Sequence, residues 1–405
     1  MLRERANSYG YSGMALAAAA DRPADAPPAS ARVTRDYRLD FFRGLALMFI
    51  FIDHIPENAV SYFTLRAYAF CDAAEVFIFI SGYTAALAYN PVFEREGVAM
   101  GTARIYRRVW QLYVAHLCLF MIFNAEVGYT LKYFDNPLFA EELAVGDYMQ
   151  NPGEAFIRVL LLQFQPSLLN ILPLYIVLLL VLPLVLLLLR RSVWLALLPS
   201  AALWAAANLF GWNLAGFPEG RLWYFNPYAW QFLFVIGATW GHLSRSRTSL
   251  PSFLAWLPPV AVVACVLAGA LHLSWILHET VGIPRYVFLP DTWFDKTMLP
   301  PPRLLSLLAL AVAVGAYVPR LAKFMTTRPG WLLVLCGQNS LEVFCLGILL
   351  SVLANFVLNL AGYGLAIQIL VNVAGLLIMF GVGALLAWFR GNGRLPRPAA
   401  LPTAS

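Results

Sequence analysis

The chain has 405 residues, of which 60% are hydrophobic and 12% are charged, and its formal net charge is +6. Soluble domains carry roughly a quarter charged residues, so this composition excludes an ordinary globular protein and indicates a chain that buries apolar surface in a lipid bilayer. Arginines gathered in the loops of a membrane protein account for the positive charge, and we expect no nucleic-acid partner.

Apolar segments recur along the whole chain, each close to the roughly 20 residues that a helix needs to cross a bilayer. They predict an all-α polytopic membrane protein with about ten transmembrane helices. Residues 1–34 are predicted to form a disordered cytoplasmic tail, residues 35–389 the transmembrane domain, and residues 390–405 a second cytoplasmic tail. The predicted segments lie near residues 39–55, 70–89, 104–126, 168–189, 193–211, 228–243, 254–273, 303–319, 333–360 and 364–389.

Arginine and lysine fall mostly in one set of loops, which the positive-inside rule places in the cytoplasm. This asymmetry predicts that both termini are cytoplasmic, which agrees with an even number of spans. The loops at 127–167, 211–228 and 274–302 are then predicted to lie outside.

The first segment carries ionisable side chains, which are costly inside a bilayer and usually functional there. At 100° per residue, Arg43 differs from His54 by about 20° around the helix and Asp40 by about 40°, so the three share a face. Asp53 lies off that face. Asp40 and Arg43 fit either an i,i+3 ion pair or a polar path through the membrane. His54, at the outer end, is a candidate general base, although a histidine at a helix end is often structural.

The second segment places Asp72 and Glu75 near its outer end. A short loop joins it to the first segment, so the two helices are predicted to be antiparallel neighbours with Glu75 at the depth of His54. A carboxylate beside a histidine can hold its tautomer, so we predict Glu75 as the partner of His54, with Asp53 as a further catalytic candidate. The alternative is that Glu75 pairs with an arginine of another span.

The third segment opens with three arginines at helical spacing, Arg104, Arg107 and Arg108. They share one side of the helix at its cytoplasmic end. Such arginines either anchor the topology or capture phosphate through their guanidinium forks.

The predicted outer loops are rich in aromatic residues mixed with carboxylates and amides. Some of these aromatics belong to the interface belts of membrane proteins, but their density also suits stacking on sugar rings. The candidate substrate-binding residues at the outer side are Asp72, Asn226, Trp230, Asp295, Lys296 and Arg303.

Several motifs, taken in this order and spacing, resemble those of the acyltransferase-3 superfamily, and within it the OpgC family. The resemblance covers about residues 35 to 385. The stretches similar to the superfamily are Asp40-x-x-Arg43-Gly44 with His54, Glu75-x-Phe-x-Phe-x-Ser81-Gly82-Tyr83, Arg104-x-x-Arg107, and Gly337-Gln-Asn339-Ser340-Leu341. Those similar to the OpgC family are Arg35-Asp-Tyr-Arg-Leu-Asp40, Asp53-His54-Ile55-Pro56, Asn226-Pro-Tyr-Ala-Trp230-Gln231 and Asp295-Lys296-Thr297.

The resemblance implies a multi-pass enzyme of the bacterial inner membrane that moves an acyl group, succinyl in the OpgC family, from cytoplasmic acyl-CoA to a periplasmic glucan. Acyl-CoA would be a donor substrate, and we expect no permanently bound cofactor and no metal. His54 would be the essential base, and Arg104 and Arg107 would engage the donor. Arg108, Arg43 and Asp40 complete the candidate donor site.

One departure from the superfamily pattern concerns a second histidine. Other members often place a histidine soon after the Asn-Ser-Leu motif, whereas this chain continues Glu342-Val-Phe-Cys-Leu346, so a role for that histidine does not transfer. The main alternative function is a transporter or flippase of a polar solute or glycan precursor, which would also have many spans and intramembrane charges. A membrane scaffold or sensor is a further alternative that would not need the His, Glu and Arg set.

Overall fold

The computed structural model of the protein describes residues 35–133, 145–245, 255–284 and 287–394. The predicted tail at 1–34, and the second tail beyond residue 394, lie outside the described residues. The described residues from Asp36 onward belong to one compact unit. Within the described ranges the chain forms fourteen α-helices and no strand beyond an isolated antiparallel bridge between Ala215 and Leu222.

The helices range in length from four to 37 residues. In chain order they are α1 (Tyr37–Asp53), α2 (Ala73–Arg95), α3 (Gly97–Tyr133), α4 (Gly146–Gln150), α5 (Pro152–Leu160), α6 (Ile171–Arg191), α7 (Val193–Phe210), α8 (Pro227–Ser244), α9 (Leu257–Val281), α10 (Pro301–Tyr317), α11 (Lys323–Thr326), α12 (Arg328–Gln338), α13 (Ser340–Ala361) and α14 (Leu365–Arg390).

Seven of the described helices are long and apolar enough to cross a bilayer: α2, α3, α6, α7, α9, α13 and α14. The predicted all-α polytopic membrane fold is therefore confirmed. Helices α1 and α10 have 17 residues each and α8 has 18. The count of about ten spans and the cytoplasmic location of the termini stay predictions.

Two predicted segments have different boundaries in the structure. The segment near 333–360 is not one helix, because Asn339 leaves helical geometry (φ −111°, ψ 39°) and divides it into α12 and α13. The third helix begins at Gly97, whose φ of +84° suits glycine, and not near residue 104. Arg104 therefore lies two turns inside α3 and not at its start.

Glycines let α1 approach α12 at backbone contact. A Cβ atom on Gly44 would overlap the carbonyl oxygen of Leu333, and one on Gly337 would overlap that of Asp40. Helices α2 and α8 cross in the same way, since a Cβ on Gly82 would overlap the carbonyl oxygen of Phe234. Small residues allow such close packing of helices in a membrane, where no hydrophobic effect drives them together. Three of the family-like motifs, those containing Gly44, Gly82 and Gly337, therefore contribute close packing contacts between helices.

Candidate functional site

The imidazole of His54 is held in one tautomer. His54 directly follows the last residue of α1, and its Nδ1 lies 2.6 Å from the carbonyl oxygen of Ile50. A carbonyl oxygen can only accept, so Nδ1 carries the proton and donates this hydrogen bond. In the neutral ring Nε2 is then an acceptor, which is the form that a general base requires.

Asp53, the residue before His54, supports the loop that follows α1. Its Oδ1 accepts a hydrogen bond of 2.7 Å from the hydroxyl of Thr64, a side chain that is almost fully buried. Asn58, also buried, donates from its side-chain amide to the carbonyl oxygen of Ile52 at 3.0 Å. These contacts fix the turn around His54. The catalytic role predicted for Asp53 stays a prediction, and the structure shows it as a support of this turn.

Four charged side chains form a group that we call the outer charge cluster: Asp72, Glu75, Lys296 and Arg303. The Nε of Arg303 donates to Glu75 Oε1 at 2.6 Å and its Nη2 lies 3.2 Å from Asp72 Oδ2. The ammonium of Lys296 lies 2.6 Å from the same Asp72 oxygen. Glu75 is fully buried and Arg303 is 8% exposed. The cluster joins the start of α2 to the start of α10 and the loop before it.

Glu75 has a different partner from the one predicted. One carboxylate oxygen accepts from Arg303 and the other accepts from the backbone N–H of Asp72 at 3.0 Å, within a capping box at the start of α2. Neither bond involves His54, whose ring is oriented by Ile50 instead. The prediction of Glu75 as the partner of His54 is therefore wrong, and the alternative, an ion pair with an arginine of another helix, is what the structure shows.

The two members of the cluster outside the helices have shifted pKa values. Burial alone would lower the pKa of Lys296, but the carboxylates of Asp72 and Glu75 outweigh it and raise that pKa. Burial alone would raise the pKa of Asp72, but Lys296 and Arg303 outweigh it and lower that pKa. Both side chains therefore stay ionised at neutral pH.

The loop that carries Lys296 is fixed by residues that were predicted to bind substrate. The indole N–H of Trp230 donates to the carbonyl oxygen of Lys296 at 3.0 Å, and Asp295 Oδ1 accepts from the backbone N–H of Thr297 at 2.8 Å. Asn226 caps α8 and donates to the carbonyl oxygen of Trp212. Trp230 and Asn226 are both fully buried. These two residues therefore position the loop, and a direct contact with substrate is open only to exposed neighbours such as Asp295.

An aromatic group lies beside the outer charge cluster. Phe70, His272, Trp275 and Phe294 pack with ring centroids 5.2 to 6.0 Å apart. The carbonyl oxygen of Phe294 accepts a hydrogen bond of 3.4 Å from Arg303. The aromatic group and the cluster therefore belong to one end of the protein, the end at which α1 finishes and α2 begins.

A cavity of about 230 Å³ lies deeper in the helix bundle, between α1, α2, α3, α6 and α13. Arg43 and Arg108 line it, together with hydroxyls of Ser81, Thr84 and Ser340. The guanidinium of Arg43 contacts the hydroxyl of Thr84 and donates to the carbonyl oxygen of Ile80 at 3.4 Å. Ser81, Thr84 and Ser340 are candidate site residues that the sequence analysis did not single out, although Ser81 and Ser340 stand in two of the family-like motifs.

The three arginines of α3 do not all face this cavity. Arg108 lines it, whereas Arg104 is half exposed and forms an ion pair of 2.5 Å with Glu96. Arg107 is also exposed. Asp40 is buried on α1 and its Oδ2 lies 3.4 Å from the side-chain amide of Gln338. Of the predicted donor-site arginines, Arg43 and Arg108 therefore line the cavity, whereas Arg104 and Arg107 are exposed on α3.

The chain was compared with protein families, curated proteins and solved structures. The family model described as OpgC protein matches residues 35–391, a range that contains every described helix. No curated protein and no solved structure matches the chain. Membership of this family indicates an acyltransferase of the OpgC type, and the apolar helices indicate a multi-pass protein of a lipid bilayer. Since the match spans most of its length, this chain belongs to the OpgC family.

Proposed function

We propose that this protein is an O-acyltransferase of the bacterial inner membrane that moves a succinyl group from cytoplasmic succinyl-CoA to a hydroxyl of a periplasmic glucan. The observation that carries the proposal is the state of His54. Its Nδ1–H is committed to the carbonyl oxygen of Ile50, so Nε2 is available to take a proton at the end of α1. Family membership supplies the reaction class.

The proposed reaction makes use of that geometry. His54 Nε2 takes the proton of a glucan hydroxyl as the hydroxyl oxygen attacks the thioester carbonyl carbon. The carbon–sulfur bond then breaks, and the leaving CoA thiolate takes the proton back from the imidazolium. The products are an ester on the glucan and free CoA, with His54 returned to its starting state. A transient acyl group on His54 is the second route that the same residue could support.

The acceptor is assigned to the end of the protein that carries His54. Trp275 and Phe294 are half-buried aromatic residues at this end, of the kind on which sugar rings stack, and Asp295 is exposed and can accept from sugar hydroxyls. Lys296 and Arg303 are held in ion pairs with Asp72, so their role is to fix the loop on which Asp295 and Phe294 lie. We assign the outer charge cluster to positioning and the exposed loop residues to acceptor contact.

The donor is assigned to the opposite end, which we place in the cytoplasm because arginines gather there. Arg104 and Arg107 are exposed on α3 and can meet the phosphates of an entering CoA. The cavity lined by Arg43 and Arg108 lies between this entrance and His54. The donor therefore approaches His54 from one side of the membrane and the glucan from the other.

The test is a transfer assay with purified protein in liposomes, succinyl-CoA and glucan, read out as thiol release and as succinylated glucan by mass spectrometry. His54→Ala should lower transfer by about 10²–10⁴-fold, the usual contribution of a general base. His278→Ala is a matched control, because the Nδ1 of His278 also bonds a backbone carbonyl, that of Ile283 at 2.8 Å, near the end of α9. His278→Ala should keep wild-type transfer.

The same assay separates the proposal from its main rival. A transporter or flippase would move glucan or its precursor across the liposome membrane without consuming succinyl-CoA. Wild-type protein that releases no thiol, or His54→Ala protein that transfers at the wild-type rate, would contradict the proposed function.

A further inference from the structure

We infer that the cavity lined by Arg43 and Arg108 is an oxyanion subsite, completed by the N-terminus of α13, and that it takes the phosphate at the pantetheine end of the donor. This inference rests on the proposed function and deepens it, because it names which part of the donor binds where. The shared chemistry of the ligand is that of an oxyanion, a phosphate or a carboxylate. Three observations on the cavity indicate that its ligand is an anion. The spacing between Arg43 and His54 then favours the phosphate of the donor over the carboxylate of its succinyl group.

The first observation is the charge of the cavity wall. Two guanidinium groups line the cavity, and no Asp or Glu is among the described residues that line it. Four of the five helices around the cavity, α2, α3, α6 and α13, are long and apolar enough to cross a bilayer, where a charge is costly unless it serves a partner or a ligand. Arg43 already has partners on α2, the hydroxyl of Thr84 and the carbonyl oxygen of Ile80. Arg108 gives one of its N–H groups to Gln111 at 3.2 Å, and a guanidinium has five.

The second observation is the N-terminus of α13. Its first two residues, Ser340 and Leu341, line the cavity. The preceding residue, Asn339, makes no side-chain capping bond, and its buried side-chain oxygen has no hydrogen-bond partner among the described residues. The first-turn N–H groups of this 22-residue helix therefore lack a side-chain cap at the cavity. Such N–H groups and the helix dipole favour an anion.

The third observation is size. The cavity of about 230 Å³ is below the range of roughly 300–1,000 Å³ that holds a whole drug-sized ligand. It therefore cannot enclose the adenosine part of CoA together with its phosphates. It has room for one oxyanion group and the chain attached to it.

The length of α1 selects the phosphate over the carboxylate at the end of a succinyl group. Arg43 and His54 are eleven residues apart on or directly after one helix, which is about 16 Å at roughly 1.5 Å per residue. Phosphopantetheine has about 13 bonds between phosphorus and sulfur, and an extended chain gains roughly 1.1–1.2 Å per bond, so its reach is about 15 Å. A phosphate at Arg43 thus brings the thioester to His54. A succinyl carboxylate at Arg43 would instead leave the thioester far short of His54.

The test uses thioesters that differ only in the phosphate. Wild-type protein should use succinyl-phosphopantetheine better than succinyl-pantetheine, and Arg108→Gln should reduce that preference by about tenfold to a hundredfold, the worth of one hydrogen bond to a charged group. Arg108→Lys should retain part of the preference, because it keeps the charge and loses the fork. Arg191→Gln, at the far end of α6 and exposed, should retain all of it.

A second comparison identifies the source of the anion. Succinyl- and butanoyl-phosphopantetheine differ in the terminal carboxylate, and Arg108→Gln should leave the ratio of their rates unchanged. If this ratio changes while the phosphate preference does not, the cavity binds the acyl carboxylate and the phosphate assignment is overturned. If neither ratio changes, the anion subsite itself is overturned.

Equilibrium binding keeps the inference testable without turnover. Free CoA, phosphopantetheine and pantetheine are titrated into the purified wild-type and Arg108→Gln proteins by calorimetry. A phosphate-dependent affinity that Arg108→Gln removes supports the subsite even if the wild type transfers no acyl group, in which case the proposed function alone fails. Equal affinity of the wild type for phosphopantetheine and pantetheine would overturn the subsite.

Discussion

The ion pair between Glu75 and Arg303 provides a test that separates a structural role of Glu75 from a catalytic one. Glu75 is fully buried and Arg303 nearly so, and the two side chains belong to helices that are distant in sequence. Arg303→Met leaves a buried carboxylate without its arginine, which typically costs about 3–5 kcal/mol of unfolding free energy. Glu75→Gln should cost less, about 1–3 kcal/mol, because Arg303 keeps Asp72 and a glutamine can still serve the capping box.

The double variant Glu75→Gln/Arg303→Met completes the cycle. Replacing both members of a buried pair is often close to neutral, so its cost should fall below the sum of the two single costs by about 2 kcal/mol or more. Thermal unfolding of the proteins in detergent measures these differences. Arg390→Met is the matched control, since its 2.7 Å pair with Glu342 is about half exposed and should be worth less than about 1 kcal/mol.

Activity per folded molecule then decides the role of Glu75. A structural Glu75 predicts that Glu75→Gln loses thermal stability and keeps most of its transfer activity below the unfolding temperature. If Glu75→Gln unfolds like the wild type but transfers as poorly as His54→Ala, Glu75 acts in the chemistry and the structural assignment is refuted.

Three further predictions concern topology, packing and pH. The predicted topology places Ser192 in the cytoplasm and Gly220 outside. In a protein without its native cysteines, Ser192→Cys should therefore not react with a membrane-impermeant thiol reagent in intact cells, whereas Gly220→Cys should react. The reverse labelling pattern would place the donor and the acceptor on the wrong sides of the membrane. Gly44→Ala should lower the unfolding temperature by an amount that corresponds to about 1–3 kcal/mol, because its Cβ would overlap backbone of α12, whereas Gly153→Ala meets open space. The lowered pKa of Asp72 adds stability that is lost as the pH falls below about 4, and the raised pKa of Lys296 adds stability that is lost as the pH rises above about 10. Lys296→Met should therefore weaken the alkaline loss, as thermal unfolding across pH will show.

Local patterns in the sequence predict much of the fold. Hydropathy over some 20 residues identifies membrane helices, and the 100° period places Arg43 and His54 on one side of α1. The break at Asn339 is missed in this way, because the apolar residues on both sides keep the average over some 20 residues high, although Gln338, Asn339 and Ser340 are polar. That break nevertheless creates the helix N-terminus that lines the cavity.

Pairings between distant residues are harder to predict from one sequence. A similar depth in the membrane suggests that Glu75 could meet His54. Depth does not say towards which neighbouring helix a side chain points. The observed partner of Glu75, Arg303, lies 228 residues away in the sequence. The α3 arginines show the same limit on a smaller scale. Arg104 and Arg108 differ by about 40° around the helix and by about 6 Å along its axis, and one lines the cavity while the other pairs with Glu96.

The glycines of two family-like motifs explain how the proposed donor subsite is built. Gly44 follows Arg43, and Gly337 lies three residues before Ser340. Because each glycine meets the backbone of the opposite helix, α1 and α12 are held at the shortest possible separation. The chain then breaks at Asn339, so the first two residues of α13 line the same cavity as Arg43. Helix α1 ends at Asp53, directly before His54, so its rigid backbone sets a spacing of about 16 Å along the axis between the Cα atoms of Arg43 and His54. An alanine at Gly44 would push α1 and α12 apart and so disturb the anion site, without changing a polar group or the spacing of Arg43 and His54 along α1.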